Sequence, residues 1–331
     1  MIDNCQICGN QEHTLFMKAE DQLKSELYDL FKCNKCDLIS VHPLPSDQKL
    51  SNYYKKDYYG APEKGIIGYF ERSLKNKVFK KHLKEIEKRS KKGLLLDLGC
   101  GNAYFLKFAK NSNWDIQGVE MSPDASQFAN KQGLNVMNSS IETANLPKNN
   151  YDVITMFNVL EHLKNLNVIM KHNYDILKND GTLLIEIPNI ESLQLIIFNK
   201  NWCHLDLPRH IYHFKRKTFE ILAKKHGFKI VHEYSIPFSL HEVAGWILSL
   251  SSMLKKKNNE DENKKLTSRK FNIKSLFLLL IAHISRIIPP FLIFKPGVKT
   301  YILKKDIWDS TIKETSHEKK ENYLEINNLH H

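Results

Sequence analysis

The chain has 331 residues, of which 42% are apolar and 26% charged, and its formal charge is +12. This length fits one large domain plus a small one, and the apolar share excludes a chain too polar to build a core. Lysine greatly outnumbers arginine, and asparagine and isoleucine are frequent. Such a bias often follows genome base composition, so the charge is discounted as a sign of a nucleic-acid partner.

Six cysteines occur, four of them as CxxC pairs. The opening MIDNCQICGN has no basic-then-apolar run, so the expected location is a reducing cytoplasm, where CxxC pairs favour metal over disulfide. Residues 1–45 form a first unit, with Cys5-x2-Cys8 and Cys33-x2-Cys36. Each pair makes a knuckle presenting two thiolates, and two knuckles together give a tetrahedral four-sulfur zinc site. So short a unit buries little, and the metal is expected to supply most of its folding energy. A ribbon that has lost its metal is the alternative.

Residues 46–92 connect this unit to the next. Tyr58 and Tyr59, in SNYYKKDYYG, either cap a cofactor and line an acceptor pocket or pack the connector on the core. A helix is predicted from Tyr69 to Lys92, with Phe70, Leu74, Val78 and Phe79 on one face.

Residues 93–236 alternate strands and helices. Strands are predicted near 94–98, 116–119, 133–137, 152–156, 181–187 and 228–235, with helices near 103–112, 123–132, 164–178 and 216–226. This βαβ alternation implies an α/β fold with a doubly wound, mostly parallel sheet. Residues 237–297 interrupt it with two apolar stretches, 243–254 and 275–294, around a basic linker. The second is about as long as a membrane span, but His283, Arg286 and Pro289-Pro290 break it. Lysine-flanked apolar helices suit an anchor lying on a membrane surface, peripheral on the inner face; a lid on the core or a dimer interface is the alternative. A seventh strand is predicted at 298–305, within a last core segment 298–308, and a charged, disordered tail at 309–331.

The most informative stretch is LLLDLGCGNAYF, residues 94–105. It reads as a buried strand, a glycine turn and a helix start. Tyr104 stands where a dinucleotide fingerprint wants its third glycine. Asp97, just before the turn, would repel a pyrophosphate but suit a cation. Glu120, ending IQGVE, is placed to accept from two ribose hydroxyls. These features suit S-adenosylmethionine (SAM), which has an ammonium, a sulfonium and a ribose but no phosphate.

With NSSIETANLPKNNYDVITMFNVLEHL (138–163) and LKNDGTLLIEIPN (177–189), these residues resemble the class I SAM-dependent methyltransferases over roughly 90–190. The resemblance implies a seven-stranded sheet whose last strand is antiparallel and lies between strands five and six. It assigns Asp97, Gly99 and Gly101 to the methionyl end and Glu120 and Met121 to the ribose side. Ser140, Ile141 and Glu142 would border the adenine, and Asn158 would lie under the methionyl group. Glu142 as a solvated surface acid is an open alternative.

On the acceptor side, WCHLDLPRHIYHF (202–214) offers His210 as a base, with Tyr212, His213 and Arg209 beside it. A metal at His210 and His213 lacks an evident third ligand, and a loop merely fixed by hydrogen bonds is the plain alternative. A four-cysteine module ahead of a class I domain resembles the sugar-nucleotide C-methyltransferases. Their Tyr-His-Glu-His segment is matched here only at its end, by His210 before Tyr212 and Phe214, with Pro208 and Arg209 where it has His and Glu. DLPRHIYHF more closely resembles bacterial methyltransferases of surface-polysaccharide and glycan pathways.

The implied activity is methyl transfer to a small-molecule or glycan acceptor, such as a sugar nucleotide or a lipid-linked polysaccharide precursor. Two other functions remain open. A zinc-ribbon rRNA methyltransferase fits the charge, but its ribbon carries acids, and FNVLEHL follows strand four where a flipped-base tetrad would stand. A non-catalytic SAM-fold binding module sits poorly with the intact Asp97, Gly99, Gly101 and Glu120.

Overall fold

The computed structural model describes residues 3–21, 26–51, 53, 65–237, 239–259 and 295–307. Tyr58, Tyr59, the apolar stretch 275–294 and the tail from 309 lie outside them. In chain order the elements are β1 (His13–Glu20), β2 (Leu27–Cys33), β3 (Ile39–His42), α1 (Asp47–Ser51), α2 (Gly65–Glu87), β4 (Leu94–Leu98), α3 (Tyr104–Asn111), β5 (Asp115–Glu120), α4 (Pro123–Lys131), β6 (Val136–Asn138), β7 (Tyr151–Phe157), α5 (Leu166–Ile176), β8 (Leu177–Pro188), α6 (Leu193–Phe198), β9 (Tyr212–His213), α7 (Arg216–Lys225), β10 (Phe228–Tyr234), α8 (Leu240–Asn259) and β11 (Val298–Lys305).

Seven strands form one sheet in the order β10-β11-β8-β7-β4-β5-β6. β8, β7, β4, β5 and β6 pair in parallel, and β11 runs antiparallel to both β8 and β10. This is the arrangement of the class I methyltransferases, with the last strand between the fifth and sixth. The central strands are apolar without alternation, because helices cover both faces. Leu95, Leu96 and Leu98 of β4 are fully buried, as are Val153, Ile154 and Met156 of β7. Ser122 caps α4 by accepting from the Ala125 amide at 3.3 Å, with Pro123 in the first turn.

The first unit is less self-contained than its length suggests. β1, β2 and β3 form an antiparallel meander, and β9 from the large domain adds a fourth strand to it. Tyr212 therefore pairs with Ser40, and His213 with Ile39. One face of the meander, with Ala19, Leu30, Ile39 and Val41, packs with Ile190, Leu195, Phe198 and Trp202. Ile7, Leu38 and the knuckle cysteines join the cluster formed around β7 and β8. Hydrophobic packing against the domain thus adds to whatever a metal contributes.

Helix α2 is buried along its C-terminal turns more than along the whole apolar stripe, though Phe79 of that stripe packs against Phe105 and Phe108. His82, Leu83, Glu85 and Ile86 are buried, whereas Leu74, Val78 and Phe79 are half-buried. The helix crosses the sheet near its C-terminal turns, so the buried face includes two ionisable side chains. The stretch 243–254 is helical, within α8. Val243, Gly245, Ile247 and Ser249 face the domain, and Trp246 meets Phe198 edge-on at 5.5 Å. Among the described residues no helix is long and apolar enough to cross a membrane.

Trp202 is fully buried, and its indole N–H donates to Gln194 at 3.1 Å. Trp202→Ala is expected to cost about 3–5 kcal/mol in urea unfolding. A loss under about 1 kcal/mol would show that this contact does not hold the meander on the domain.

Candidate active site

The C-terminal ends of the parallel strands carry the chemistry, as in other open α/β sheets. Asp97 ends β4 and is 3% exposed; its Oδ1 accepts from the Thr155 hydroxyl at 2.7 Å. Burial pushes its pKa up to about 7; Thr155 opposes this, and the Glu120 charge adds to it. The chain then turns through Gly99, Gly101 and Ala103, all with positive φ (71°, 53° and 56°). At Gly99 a Cβ would lie 2.7 Å from Val159 Cγ2, so only glycine lets this turn meet the loop after β7.

Glu120, at the end of β5, is 2% exposed. Its Oε2 accepts from the Gly101 amide and its Oε1 from the Ser122 amide, each at 2.8 Å. One carboxylate therefore fixes both loops that edge the cleft. Met121 is 63% exposed, an apolar side chain lying open beside that carboxylate. Across from it, Ile141 is buried, Glu142 is half-buried, and Ser140 Oγ pairs with Thr143 Oγ1 at 2.8 Å. Asn158 follows β7 with φ 53°. The residues expected around SAM thus lie at or just beyond the C-terminal ends of β4, β5, β6 and β7.

The rim continues into a group that the motif reading passed over. Glu186, on β8, is 6% exposed. It accepts from Thr300 Oγ1 at 2.9 Å and from Asn158 Nδ2 at 3.2 Å. His82 Nε2 lies 3.5 Å from one of its oxygens and His241 Nδ1 lies 3.6 Å from the other. Burial would raise its pKa, but the hydrogen bond and charge of His241, with His82 and Thr300, bring it down to about 2. His82 also pairs through Nδ1 with the Tyr234 hydroxyl at 2.8 Å and is itself buried, whereas His241 is 55% exposed. The sequence did hold a signal. A glutamate within the continuous apolar run LLIEIP must be a buried charge with partners.

His210, Tyr212 and His213 occupy the joint between the meander and the domain. The Tyr212 hydroxyl donates to the Lys164 carbonyl at 2.9 Å. His213 is 2% exposed, and neither ring nitrogen has a hydrogen-bond partner; burial pushes its pKa down to about 3. His210 is 6% exposed, its Nδ1 2.8 Å from the His204 carbonyl. Burial, then the neighbouring histidines, push its pKa well down. Arg209 donates from Nε to Asp206 at 3.0 Å. Beside His210 stand Glu161 and His162, with one potential ligand atom from each of the three within 4.8 Å of the others, while the His213 ring centroid lies 6.2 Å from that of His210.

The four knuckle cysteines converge. Their sulfurs lie within 4.8 Å of one another, with Cys5–Cys36 at 3.4 Å and Cys8–Cys33 at 3.5 Å. Tetrahedral zinc, with bonds of about 2.3 Å, spaces sulfurs about 3.8 Å apart, so the set fits. The amides of Ile7 and Cys8 point to Cys5, that of Asn10 to Cys8 and that of Leu38 to Cys36, as thiolates require.

Residues 70–233 match a family model described as a methyltransferase domain, and this stretch of the chain is a methyltransferase domain. A ubiquinone biosynthesis O-methyltransferase of Glaesserella parasuis is 28% identical over 143 residues, covering 39% of this chain and 61% of that protein. An uncharacterized protein of Methanocaldococcus jannaschii is 28% identical over 157 residues, covering 44% of this chain and again 61% of the relative. The chain thus spans less than two thirds of either relative. A crystal structure of a SAM-dependent methyltransferase from Archaeoglobus fulgidus aligns with TM-score 0.46 and 19% identity, over 77% of this chain and 99% of that one.

Gly99→Ala combines a clash with Val159 and an unfavourable φ, and should lower stability by about 1–3 kcal/mol. Adding Val159→Ala should restore part of that loss in thermal unfolding. No recovery would place the cost in the backbone alone.

Proposed function

We propose that this protein transfers a methyl group from SAM to a hydroxyl of a small-molecule or glycan acceptor. The observation that carries this reading is the cleft edge itself. A buried Asp97 lies beside Glu120, which ties both rim loops together, and the half-exposed His241 beside Glu186 follows. In this reading Asp97 takes the ammonium, Glu120 the two ribose hydroxyls, and Met121 and Ile141 the faces of the adenine. Ser140 and Glu142 border the adenine edge, and Asn158 lies under the methionyl chain. Bound SAM supplies an electrophilic methyl, so the protein has only to hold the acceptor in line and remove its proton. His241 is the accessible base, and the Glu186 carboxylate 3.6 Å away stabilises the imidazolium formed when it takes that proton. This places proton removal at His241 and gives the buried His210 a different role. Tyr58, Tyr59 and Arg209 remain proposed acceptor contacts.

A sugar nucleotide or a lipid-linked polysaccharide precursor is the acceptor class we favour. Leu248, Leu250, Met253 and Leu254 of α8 are exposed, and three lysines follow them in the sequence, which suits an acceptor held at a membrane surface. The relative in ubiquinone biosynthesis, named an O-methyltransferase, is consistent with an oxygen nucleophile. The four cysteines hold a structural zinc that steadies the meander.

Labelled methyl from SAM should enter the nucleotide-sugar or lipid fraction of a cell extract; label confined to RNA would overturn the acceptor assignment. Glu120→Ala should weaken SAM binding by about 1–3 kcal/mol, and unchanged affinity would remove that acid from the site. His241→Ala should leave SAM affinity intact and lower kcat by about 100-fold.

SAM affinity should also depend on pH through Asp97. The group is raised to about 7 in the empty site, and the ammonium needs it ionised. Affinity is therefore full above that value and falls as pH drops below it, by about tenfold per unit. Asp97→Asn should bind more weakly and flatten the profile; a profile still sloping in Asp97→Asn would assign the proton elsewhere.

A further inference from the structure

We propose that Glu161, His162 and His210 hold a divalent transition metal, distinct from any metal at the four cysteines. One ligand atom from each of the three lies within 4.8 Å of the others. The decisive feature is Glu161. It is 0% exposed, and neither carboxylate oxygen has a hydrogen-bond partner. An ionised carboxylate buried this way is costly. Protonation does not cure the problem, since the acid O–H would then lack an acceptor. A cation meets both lone-pair sets at once.

The imidazoles are oriented as ligands are. His210 Nδ1 sits 2.8 Å from the His204 carbonyl, and His162 Nδ1 lies 3.0 Å from the Arg209 carbonyl. For His210 a backbone carbonyl on one ring nitrogen fixes the tautomer and raises the basicity of the other, the usual support of a metal-bound histidine; His162 also contacts the Asn158 backbone, a contact that an ion would replace. His210 Nε2 accordingly faces Glu161 Oε1 at 3.9 Å and Asp206 Oδ2 at 3.5 Å. Metal bonds of about 2.0–2.1 Å put tetrahedral ligands about 3.4 Å apart, so an ion would shorten the separations, now within 4.8 Å, by about 1.4 Å at most. The two ligand-bearing segments are already joined, because the Ile211 amide donates to the Glu161 carbonyl at 2.8 Å.

Two nitrogens and a carboxylate oxygen select zinc, manganese, iron or cobalt over calcium or magnesium. Three protein ligands leave a position for water, Asp206 or an acceptor oxygen. Only that last role rests on the methyltransfer reading. The ion would tie the loop after β7, which carries Asn158, to the segment leading into β9.

The test counts metal without SAM or acceptor, so it stands whether or not methyl transfer is observed. The full-length protein, incubated with zinc and desalted, should carry two equivalents by elemental analysis. Glu161→Gln, which keeps the side-chain volume, and His210→Ala should each carry one. A retained cooperative thermal unfolding transition reports that each variant is folded. Should a variant not fold, cobalt loading of the unmodified protein decides. A second equivalent that adds visible bands without adding sulfur-to-cobalt charge transfer supports the site. Variants with the full metal content, or a wild-type protein that binds no ion beyond the thiolate-bound one, would overturn it.

Discussion

Buried negative charge at one edge of a parallel sheet is the constraint on which this structure turns. Asp97, Glu120, Glu161 and Glu186 all lie at or just beyond the C-terminal ends of neighbouring strands, and none is more than 6% exposed. Each must be met by something, since an unpartnered buried carboxylate costs several kcal/mol. Glu120 is met by backbone amides and becomes the staple of two loops. Glu186 is met by two histidines, a threonine and an asparagine. Asp97 keeps one hydroxyl and a raised pKa. Glu161 has none of these, and His162 and His210 stand beside it.

The N-terminal meander and the domain are joined by the same segment that carries part of this chemistry. β9 adds to the meander, and the residues just before it, Asp206 to Ile211, face Glu161 and His162. The knuckle cysteines pack into the cluster around β7 and β8, not into a core of their own. The small unit thereby acts as a wall that holds the 202–214 segment against the cleft.

Much of the fold was legible locally. β4 and β11 have the bounds that their apolar runs predict, and the other core strands and helices differ by a few residues, because continuous apolar stretches between turn residues have few alternatives. The glycine turn was legible because its residues are consecutive, and Glu120 because it ends the next apolar run. Which turns of α2 are buried was not. Its burial is set by where the helix crosses the sheet, so His82 and Glu85 are interior while Leu74 and Val78 are half-exposed.

Sequence by itself determined the α/β order, the SAM-type corner and the convergence of four cysteines, since each rests on short-range spacing. Only the tertiary structure decided which histidine is open to an acceptor and which is sealed in. Glu186 and His241 are separated by two helices and two strands, and Glu161 and His210 by α5, β8 and α6. Such pairs form through the long crossovers of a parallel sheet, which leave no periodic trace in the chain. Burial, which separates the role of His241 from that of His210, is a property of the packed molecule and not of the residue.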